Sequence, residues 1–410
     1  MKCRHCGAAV TLPFVDLGSA PPSNAYVTED ALSAPETWYP LRVSVCTDCW
    51  LVQTEDFARP ADLFSRDYAY FSSFSSTWLD HVRRYVADVS GRFALGGRSQ
   101  VVEIASNDGY LLQYFVARGI PCLGVEPAAG TARAARERGI GVVEEFFDRS
   151  LAERLVTDGM AADLIIANNV LAHVPNIDEF VAGFPVLLKE DGVATFEFPH
   201  LLELVKNAQI DTIYHEHFSY LSLVAVQRIF ERNGLSIFDV DRLPTHGGSL
   251  RVYAQRRDAG SRPVTAAVTL LRDAEVSAGV LTREFYAGFQ VKAERIKNDF
   301  LHFLIESCGS GLRVAAYGAA AKGNTLLNFA GVRPDLIHCV ADRNPAKQGK
   351  YLPGSRIPIV AESELRRYAP QRVVILPWNL QSEIASQLRY IADWGGQFAV
   401  AIPSIRQWSS

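Results

Sequence analysis

Two cysteine pairs constrain the start of this chain more than any other feature: Cys3-x-x-Cys6 and Cys46-x-x-Cys49, with 39 residues between the pairs. Each CxxC bends the backbone tightly enough for both thiolates to reach one ion, and two such knuckles complete a tetrahedral set of four. Four thiolates leave no open position, so the ion they would hold is structural, and Zn2+ is the expected one with Cys3, Cys6, Cys46 and Cys49 as ligands. His5 competes as a ligand, although the middle residue of such a turn is expected to point outward. A redox dithiol is the rival reading, but two pairs in one small module rarely serve that purpose. Pro13, Pro21, Pro22, Pro35 and Pro40 lie between the knuckles, which describes a loop-rich module in need of a metal staple. This segment has no excess of bases over acids, so nucleic acid is not an expected partner.

The whole chain has 410 residues, 48% apolar and 21% charged, with a net charge of −4. Its length allows two or three domains, and so apolar a composition buries a large core and excludes wholesale disorder. The charge balance gives no general pull toward nucleic acid or anionic membrane. Met1–Val10 lacks the apolar stretch of a signal peptide, and no run approaches the length of a membrane span. Seven cysteines are sparse and odd in number, so a reducing, cytoplasmic setting is expected. No sequence feature decides between a monomer and a weak homo-oligomer.

Beyond the cysteines, Asp67–Ser76 is rich in aromatics and hydroxyls and leads into an amphipathic helix at Trp78–Val89. Strand and helix signals then alternate. Gln100–Ala105 is a short apolar strand ending in Ser-Asn-Asp-Gly, Tyr110–Arg118 is helical, and Cys122–Val125 is a second strand closed by Glu126. Further strands are expected at Gly141–Val143, Leu164–Ala167 and Val193–Phe198. That order specifies a parallel, doubly wound sheet. Val268–Cys308 reads as one long amphipathic helical connector. A second βαβ series follows, with strands at Arg313–Tyr317, His338–Ala341, Arg372–Leu376 and Phe398–Ile402. The expected architecture is α/β: a zinc-binding module over 1–75, a Rossmann-like domain over 76–265, and connector helices with a C-terminal Rossmann-like αβα domain over 266–410.

Ser106-Asn107-Asp108-Gly109 places small residues and free backbone N–H groups at a strand-to-helix turn, where a ligand can approach closely. Without G-x-G-x-x-G, pyrophosphate need not be that ligand. Glu126, ending the second strand, suits ribose hydroxyls. The combination E-x-A-S-N-D-G from Glu103, the acid at Glu126, and Ala167-Asn168-Asn169-Val-Leu-Ala-His173-Val-Pro-Asn176 resembles class I S-adenosylmethionine (SAM)-dependent methyltransferases. With the zinc module and the C-terminal αβα half, nearly the whole chain resembles the nucleotide-deoxysugar C-methyltransferases of antibiotic sugar pathways. The resemblance implies that Ser106–Gly109, with Glu103 and Asn168, hold SAM, that Glu126 takes its ribose, and that Phe146 or Phe147 flanks its adenine. Ala105 and Asn107 depart from the pattern, standing where such enzymes often have glycine.

The densest polar cluster is Tyr214-His-Glu-His-Phe-Ser-Tyr220, just beyond the fifth strand at the ligand-binding edge of an open sheet. His215 and His217 form an H-x-H without a clear third ligand, so a metal site is discounted. Methylation beside a ketone needs a base to remove the α-proton, and a histidine serves near neutral pH. Tyrosine hydroxyls and an amide can hold the oxygen where charge develops. The resemblance implies His217 as base, Tyr214 as proton relay or enolate stabiliser, and Glu216 as a contact to the sugar or to His217. Tyr214 rivals His217 as the base. The resemblance also implies that Tyr68, counted with the catalytic set, and Asn169 complete the pocket, and His173 and His200 are expected as lining. His246-Gly-Gly-Ser reads first as a hairpin turn, and in the resembling family it lies toward the sugar cleft.

Gly318-Ala-Ala-Ala-Lys322-Gly-Asn324 follows a strand and offers helix N–H groups and a cation to a diphosphate. The resemblance implies a thymidine diphosphate (TDP) sugar between the halves. On the residues themselves Lys322 and Asn324 are expected contacts, and Lys347 and Lys350 of the DRNPAKQGKY loop face either the phosphates or solvent. The expected reaction is SAM-dependent C-methylation alpha to the ketone of a TDP-4-keto-deoxyhexose, at C-3. The alternatives are an NAD-dependent oxidoreductase of a nucleotide sugar using Gly318–Asp342, and a non-enzymatic zinc-ribbon scaffold.

Overall fold

In the computed structural model, which describes residues 1–57 and 71–409, the strands form three sheets. Strands β1 (Leu12–Ala20), β2 (Tyr39–Val45) and β3 (Val52–Thr54) open the chain. Then come β4 (Val101–Ile104), β5 (Cys122–Val125), β6 (Gly141–Val143), β7 (Ala162–Asn168) and β8 (Leu188–Pro199). A two-residue β9 (Ser219–Tyr220) precedes the hairpin of β10 (Leu235–Leu243) and β11 (Ser249–Arg256). The C-terminal strands are β12 (Val314–Tyr317), β13 (Val340–Ala341), β14 (Ile359–Val360), β15 (Arg372–Ile375), β16 (Gln397–Val400) and β17 (Arg406–Ser409).

The central sheet has the order β10-β11-β8-β7-β4-β5-β6. Strands β6, β5, β4, β7 and β8 are parallel, and β11 runs antiparallel to both its neighbours. Every residue of β4 is buried, as a parallel strand covered on both faces requires. Strand order reverses between β4 and β7, so their carboxyl ends open the crevice in which such sheets bind ligands. The Ser106–Gly109 turn and Asn168-Asn169 stand on its two sides. The C-terminal sheet repeats the arrangement as β14-β13-β12-β15-β16-β17, parallel except for β17. Its reversal lies between β12 and β15, where Gly318 adopts φ 91° and a Cβ would stand 2.5 Å from Pro377.

The expected single connector is three helices, Ala266–Ser277, Arg283–Tyr286 and Phe289–Gly309. Gly279 (φ 91°) and Gly288 (φ 78°) interrupt it, taking a left-handed backbone that glycine adopts without steric cost. No described helix is long and apolar enough to cross a membrane.

The N-terminal module does not stand apart. Its sheet, β1-β2-β3-β9, borrows its last strand from the segment after β8. Cys3, Cys46, Cys49 and Leu51 share one core with Phe180, Phe184 and Phe230 of the central domain. Phe14, Leu41 and Val43 share another with Phe289, Ile296 and Phe300 of the long helix and with Val314 and Ala316 of β12. Phe14 stacks on Phe289 at 4.3 Å, and burying each such ring contributes about 2 kcal/mol.

Candidate active site

At the N-terminus the four sulfurs lie within 4.8 Å of one another, with Cys3–Cys49 and Cys6–Cys46 both at 3.5 Å. Tetrahedral Zn–S bonds of about 2.3 Å imply sulfurs about 3.8 Å apart, so the donor set fits the ion. Each knuckle closes the same way: Gly7 N donates to Cys3 O and Trp50 N to Cys46 O. Both following residues take positive φ, 77° at Gly7 and 63° at Trp50. The Trp50 indole lies parallel to the Tyr286 ring at 6.0 Å, which anchors a bulky residue in a conformation suited to glycine. His5 does not point outward as expected. It is buried, and its Nδ1 pairs with Asp178 at 2.8 Å, docking the knuckle onto helix Ile177–Leu187.

The turn after β4 adopts the conformations that glycines would favour. Ala105, Asn107 and Gly109 have φ of 58°, 49° and 75°, so the two departures from the glycine pattern preserve its geometry at some steric expense. Glu126 is buried and accepts from Asn107 N and Ala128 N, both at 2.9 Å. Its carboxyl is raised above the usual range, chiefly by burial. Burial also pushes Glu103 well up, with the Tyr110 hydroxyl pulling against it. Asp108 is fully buried and pairs with Arg138 at 3.2 Å. Ser106 Oγ, Asp108 Oδ1 and both amide atoms of Asn168 are buried without a hydrogen-bond partner among the described residues. Buried polar atoms left this way are costly unless a ligand completes them. Phe146 is exposed on the turn after β6, whereas the Phe147 ring packs against Phe180 and Phe184 in the core.

Tyr214–His217 is a tight turn leading into β9, closed by His217 N to Tyr214 O at 2.9 Å. His217 Nδ1 bonds the Thr212 carbonyl at 2.7 Å, and a carbonyl only accepts, so Nδ1 carries the proton. Its Nε2 lone pair therefore accepts from the Tyr214 hydroxyl, also at 2.7 Å. Burial, with His173 and Lys322 nearby, holds His217 well below its ordinary value. The His173 ring lies 4.6 Å from that of His217, and burial holds His173 at about 4. His215 faces the opposite way, toward the Tyr39 and Pro40 carbonyls of the N-terminal module. The two histidines of H-x-H therefore diverge. Both oxygens of Glu216 accept from the Asn24 amide at 2.8 Å.

The hairpin tip reaches the C-terminal half. Gly247 packs so closely on Trp378 that a Cβ would stand 2.3 Å from the indole. Lys322 Nζ, half-buried, approaches the His246 carbonyl at 3.5 Å, Asn379 Oδ1 at 3.3 Å and the Trp378 ring at 5.2 Å. Burial lowers its pKa while Asp211 pulls the other way. Asp211, bonded to Trp378 Nε1 at 2.7 Å, is pushed up to about 6 by burial. Asn324 is buried with its amide unpartnered among the described residues, as is Nε2 of His246.

The turn thus brings His217, Tyr214 and His173 together, with Lys322 and His246 within electrostatic reach of His217. His200 is held instead by its Nε2, hydrogen-bonded to the buried Glu275 carboxylate at 2.7 Å, and Glu275 also caps helix Leu223–Arg232. Lys350 makes no side-chain bond among the described residues, whereas Lys347 Nζ donates to the Ala319 carbonyl at 2.8 Å. Tyr68 lies outside the described residues. Sequence reasoning missed a buried cluster in which Glu197 pairs with Arg251 at 2.6 Å and His81 at 2.9 Å and accepts from Thr245 at 2.9 Å. Its signal was a lone acid inside the apolar run Val193–Phe198.

Residues 3–64 match a zinc binding domain model, 78–240 a methyltransferase domain, and 244–403 the C-methyltransferase C-terminal domain. The chain is 35% identical over 405 residues to C-methyltransferase NovU of Streptomyces niveus, covering 99% of this chain and 96% of that protein. The chain belongs to the C-methyltransferase family. Solved structures with similarity include magnesium protoporphyrin IX methyltransferase of Synechocystis PCC 6803 with bound SAM (18% identity, 44% of this chain and 78% of that one, TM-score 0.32). Another is the PH0226 protein of Pyrococcus horikoshii (13% identity, 46% and 95%, TM-score 0.38).

This C-methyltransferase is a SAM-dependent enzyme with a zinc-binding N-terminal module and a class I methyltransferase domain. The oxidoreductase and scaffold alternatives give way to methyl transfer. In the C-terminal half, Asp342 accepts from the backbone N–H of Ala319 and of Asn344, both at 2.8 Å, so this acid serves its own loop.

Proposed function

We propose that this C-methyltransferase methylates the carbon alpha to the ketone, C-3, of a TDP-4-keto-deoxyhexose through an enolate. The observation that carries the reading is the Tyr214–His217 pair, 2.7 Å apart, in a turn flanked by Ile213, whose carbonyl accepts from Thr325 in the helix after the Gly318 loop, and by Phe218, whose N–H donates to the Ala172 carbonyl beyond β7. SAM, when bound by Glu103, Ser106–Gly109, Glu126 and Asn168 with Phe146 beside its adenine, supplies the electrophilic methyl group. The protein's own task is to remove a proton and hold the resulting charge.

His217 is kept neutral by burial and keeps its Nε2 lone pair aimed at Tyr214. Tyr214, half-buried where His217 is buried, meets the acceptor and passes the proton inward, so the pair acts together as base. Glu216, Asn169 and His173 shape the sugar pocket, with Tyr68 as a further contact. His246, Lys322, Asn324 and Lys347 receive the diphosphate side, where a cation and a helix start favour anions. Lys350 and His200 are the weaker members of the proposed set. We place the domains at 1–75, 76–265 and 266–410 and the enzyme in the cytoplasm.

The test is mass spectrometry after incubation with SAM and a panel of TDP-4-keto-6-deoxysugars. One methyl gained on a sugar, with S-adenosylhomocysteine formed in step, supports the reading, and NMR of the product assigns the carbon. SAM binding with no sugar methylated would overturn the acceptor assignment alone.

A further inference from the structure

Glu216 belongs to the catalytic turn, yet the group that holds its carboxylate comes from the far end of the sequence. Asn24 Nδ2 lies 2.8 Å from both carboxylate oxygens, and Glu216 is only 1% exposed. An amide donor forking onto a buried carboxylate fixes its orientation and supports its charge.

The loop carrying Asn24 is not anchored by the cysteine knuckles. Val27 pairs with Tyr351 through two backbone bonds of 2.9 and 2.8 Å, and the Tyr26 hydroxyl donates to the Ala319 carbonyl at 2.6 Å. Glu36 pairs with Arg356 at 3.0 Å and accepts from Gly354 N at 2.8 Å. Pro21 packs against Gly354, where a Cβ would stand 3.0 Å from its ring. All these partners belong to the C-terminal half. A continuous path therefore runs from the Gly318 loop through Tyr26, whose hydroxyl is 3.3 Å from Asn24 Oδ1, to Asn24 and on to Glu216.

We propose that Asn24 is a positioning residue for methyl transfer: held by the C-terminal domain, it orients the Glu216 carboxylate against the acceptor sugar. The proposal rests on the role given to the Tyr214–His217 turn above. It makes the geometry of the acceptor pocket depend on docking of the C-terminal half, which neither domain could supply alone.

The experiment compares Asn24→Ala and Asn24→Asp with the unaltered full-length enzyme, using a TDP-4-keto-6-deoxysugar that the enzyme methylates. Three quantities are read: methyl transfer, exchange of the sugar α-proton in D2O, and SAM affinity by calorimetry. Asn24→Ala is expected to lower kcat by roughly 10–100-fold while SAM affinity stays within about twofold. Asn24→Asp sets a second carboxylate against Glu216, so one of the pair holds its proton to higher pH. The acid limb of its pH–rate profile is expected to rise by about one unit or more. Tyr26, with Lys347 and Asp342 behind it, is in electrostatic contact with this carboxylate; His173, beyond β7, bonds the Glu216 backbone, and Tyr214, His215 and His217 share its turn. All are unchanged in both variants. Variants with unaltered kcat and pH profile would overturn the proposal. So would parallel loss of SAM binding and melting temperature, which would make Asn24 a residue of the fold. Absence of α-proton exchange in the unaltered enzyme, by contrast, counts against the proton-transfer reading of the turn and leaves the Asn24 comparison to be read from kcat.

Discussion

His217 illustrates how burial and hydrogen bonding together choose a protonation state. Its Nδ1–H is spent on a backbone carbonyl and burial keeps the resting ring neutral, leaving one lone pair directed at Tyr214 and free to take a proton during turnover. Replacing it by asparagine is expected to slow α-proton exchange by roughly 10²–10⁴-fold, with SAM affinity within about twofold. NMR-monitored exchange in D2O checks this, and undiminished exchange would remove His217 from the mechanism. The same burial shapes stability. His173 and His246 are held at about 4 and His217 well below its usual value, whereas unfolded histidines titrate near about 6.5. The unfolded chain then binds more protons, so stability present above about pH 6.5 is lost as the pH falls toward about 4. Asp211, raised to about 6, has the opposite sign: its contribution is lost as pH rises through that value. Glu103 and Glu126, also raised by burial, share that sign, while His215, lowered by burial, adds to the histidine side. His173→Gln is expected to lessen the fall in melting temperature between about pH 6.5 and about 4 relative to the unaltered enzyme. Thermal melts across that range decide it.

Among the elements, what could be read in advance depended on whether the signal was local. The parallel strands β4, β5, β7, β8, β12 and β15 are legible because each is a short apolar run bounded by turn residues. Ser106–Gly109 is legible because its turn chemistry is contained in four consecutive residues. The zinc ligands are legible for the same reason, through spacing alone. Strand β9 is not, because two residues carry no periodicity and its pairing with β3 spans most of the N-terminal half. Asn24 is equally silent, since its partner Glu216 lies far along the chain and nothing near Asn24 marks it. The β3–β9 pairing carries a prediction of its own. Thr54 N donates to the Phe218 carbonyl at 3.1 Å, and Thr54 Oγ1 lies 3.3 Å from the His217 carbonyl. Removing zinc by chelation, or replacing Cys46 and Cys49 by serine, is expected to raise amide exchange across 217–220 at least tenfold. Hydrogen-exchange mass spectrometry measures it, and unchanged protection there would mean that β3 holds its place without the ion.

The whole molecule is organised around contacts that cross its segments. Asp211 and Trp378 join the central and C-terminal domains through a 2.7 Å bond, and Gly247 seats the β10–β11 hairpin on the same indole. A side chain at 247 meets that ring at once and must also bear φ 90°, a conformation strained for any L-residue. Gly247→Ala is therefore expected to raise KM for the nucleotide sugar more than about tenfold while leaving SAM affinity nearly intact. Steady-state kinetics with calorimetry tests this, and equal losses in both would place the damage in the central domain instead. Such dependence explains why the three segments, though separable as sequence patterns, share two hydrophobic cores.

A newly made chain meets this architecture in an awkward order. The cysteine knuckles and β1–β3 leave the ribosome well before β9, and the strand that covers the free edge of β3 follows only after about ten to thirty seconds of further elongation. Through that interval β3 offers unpaired backbone groups to any neighbouring nascent chain, a known route to misassembly. Early capture of a metal ion can hold the knuckles together but cannot close that edge. Yields of active enzyme should therefore respond to translation speed and chaperone supply as well as to zinc.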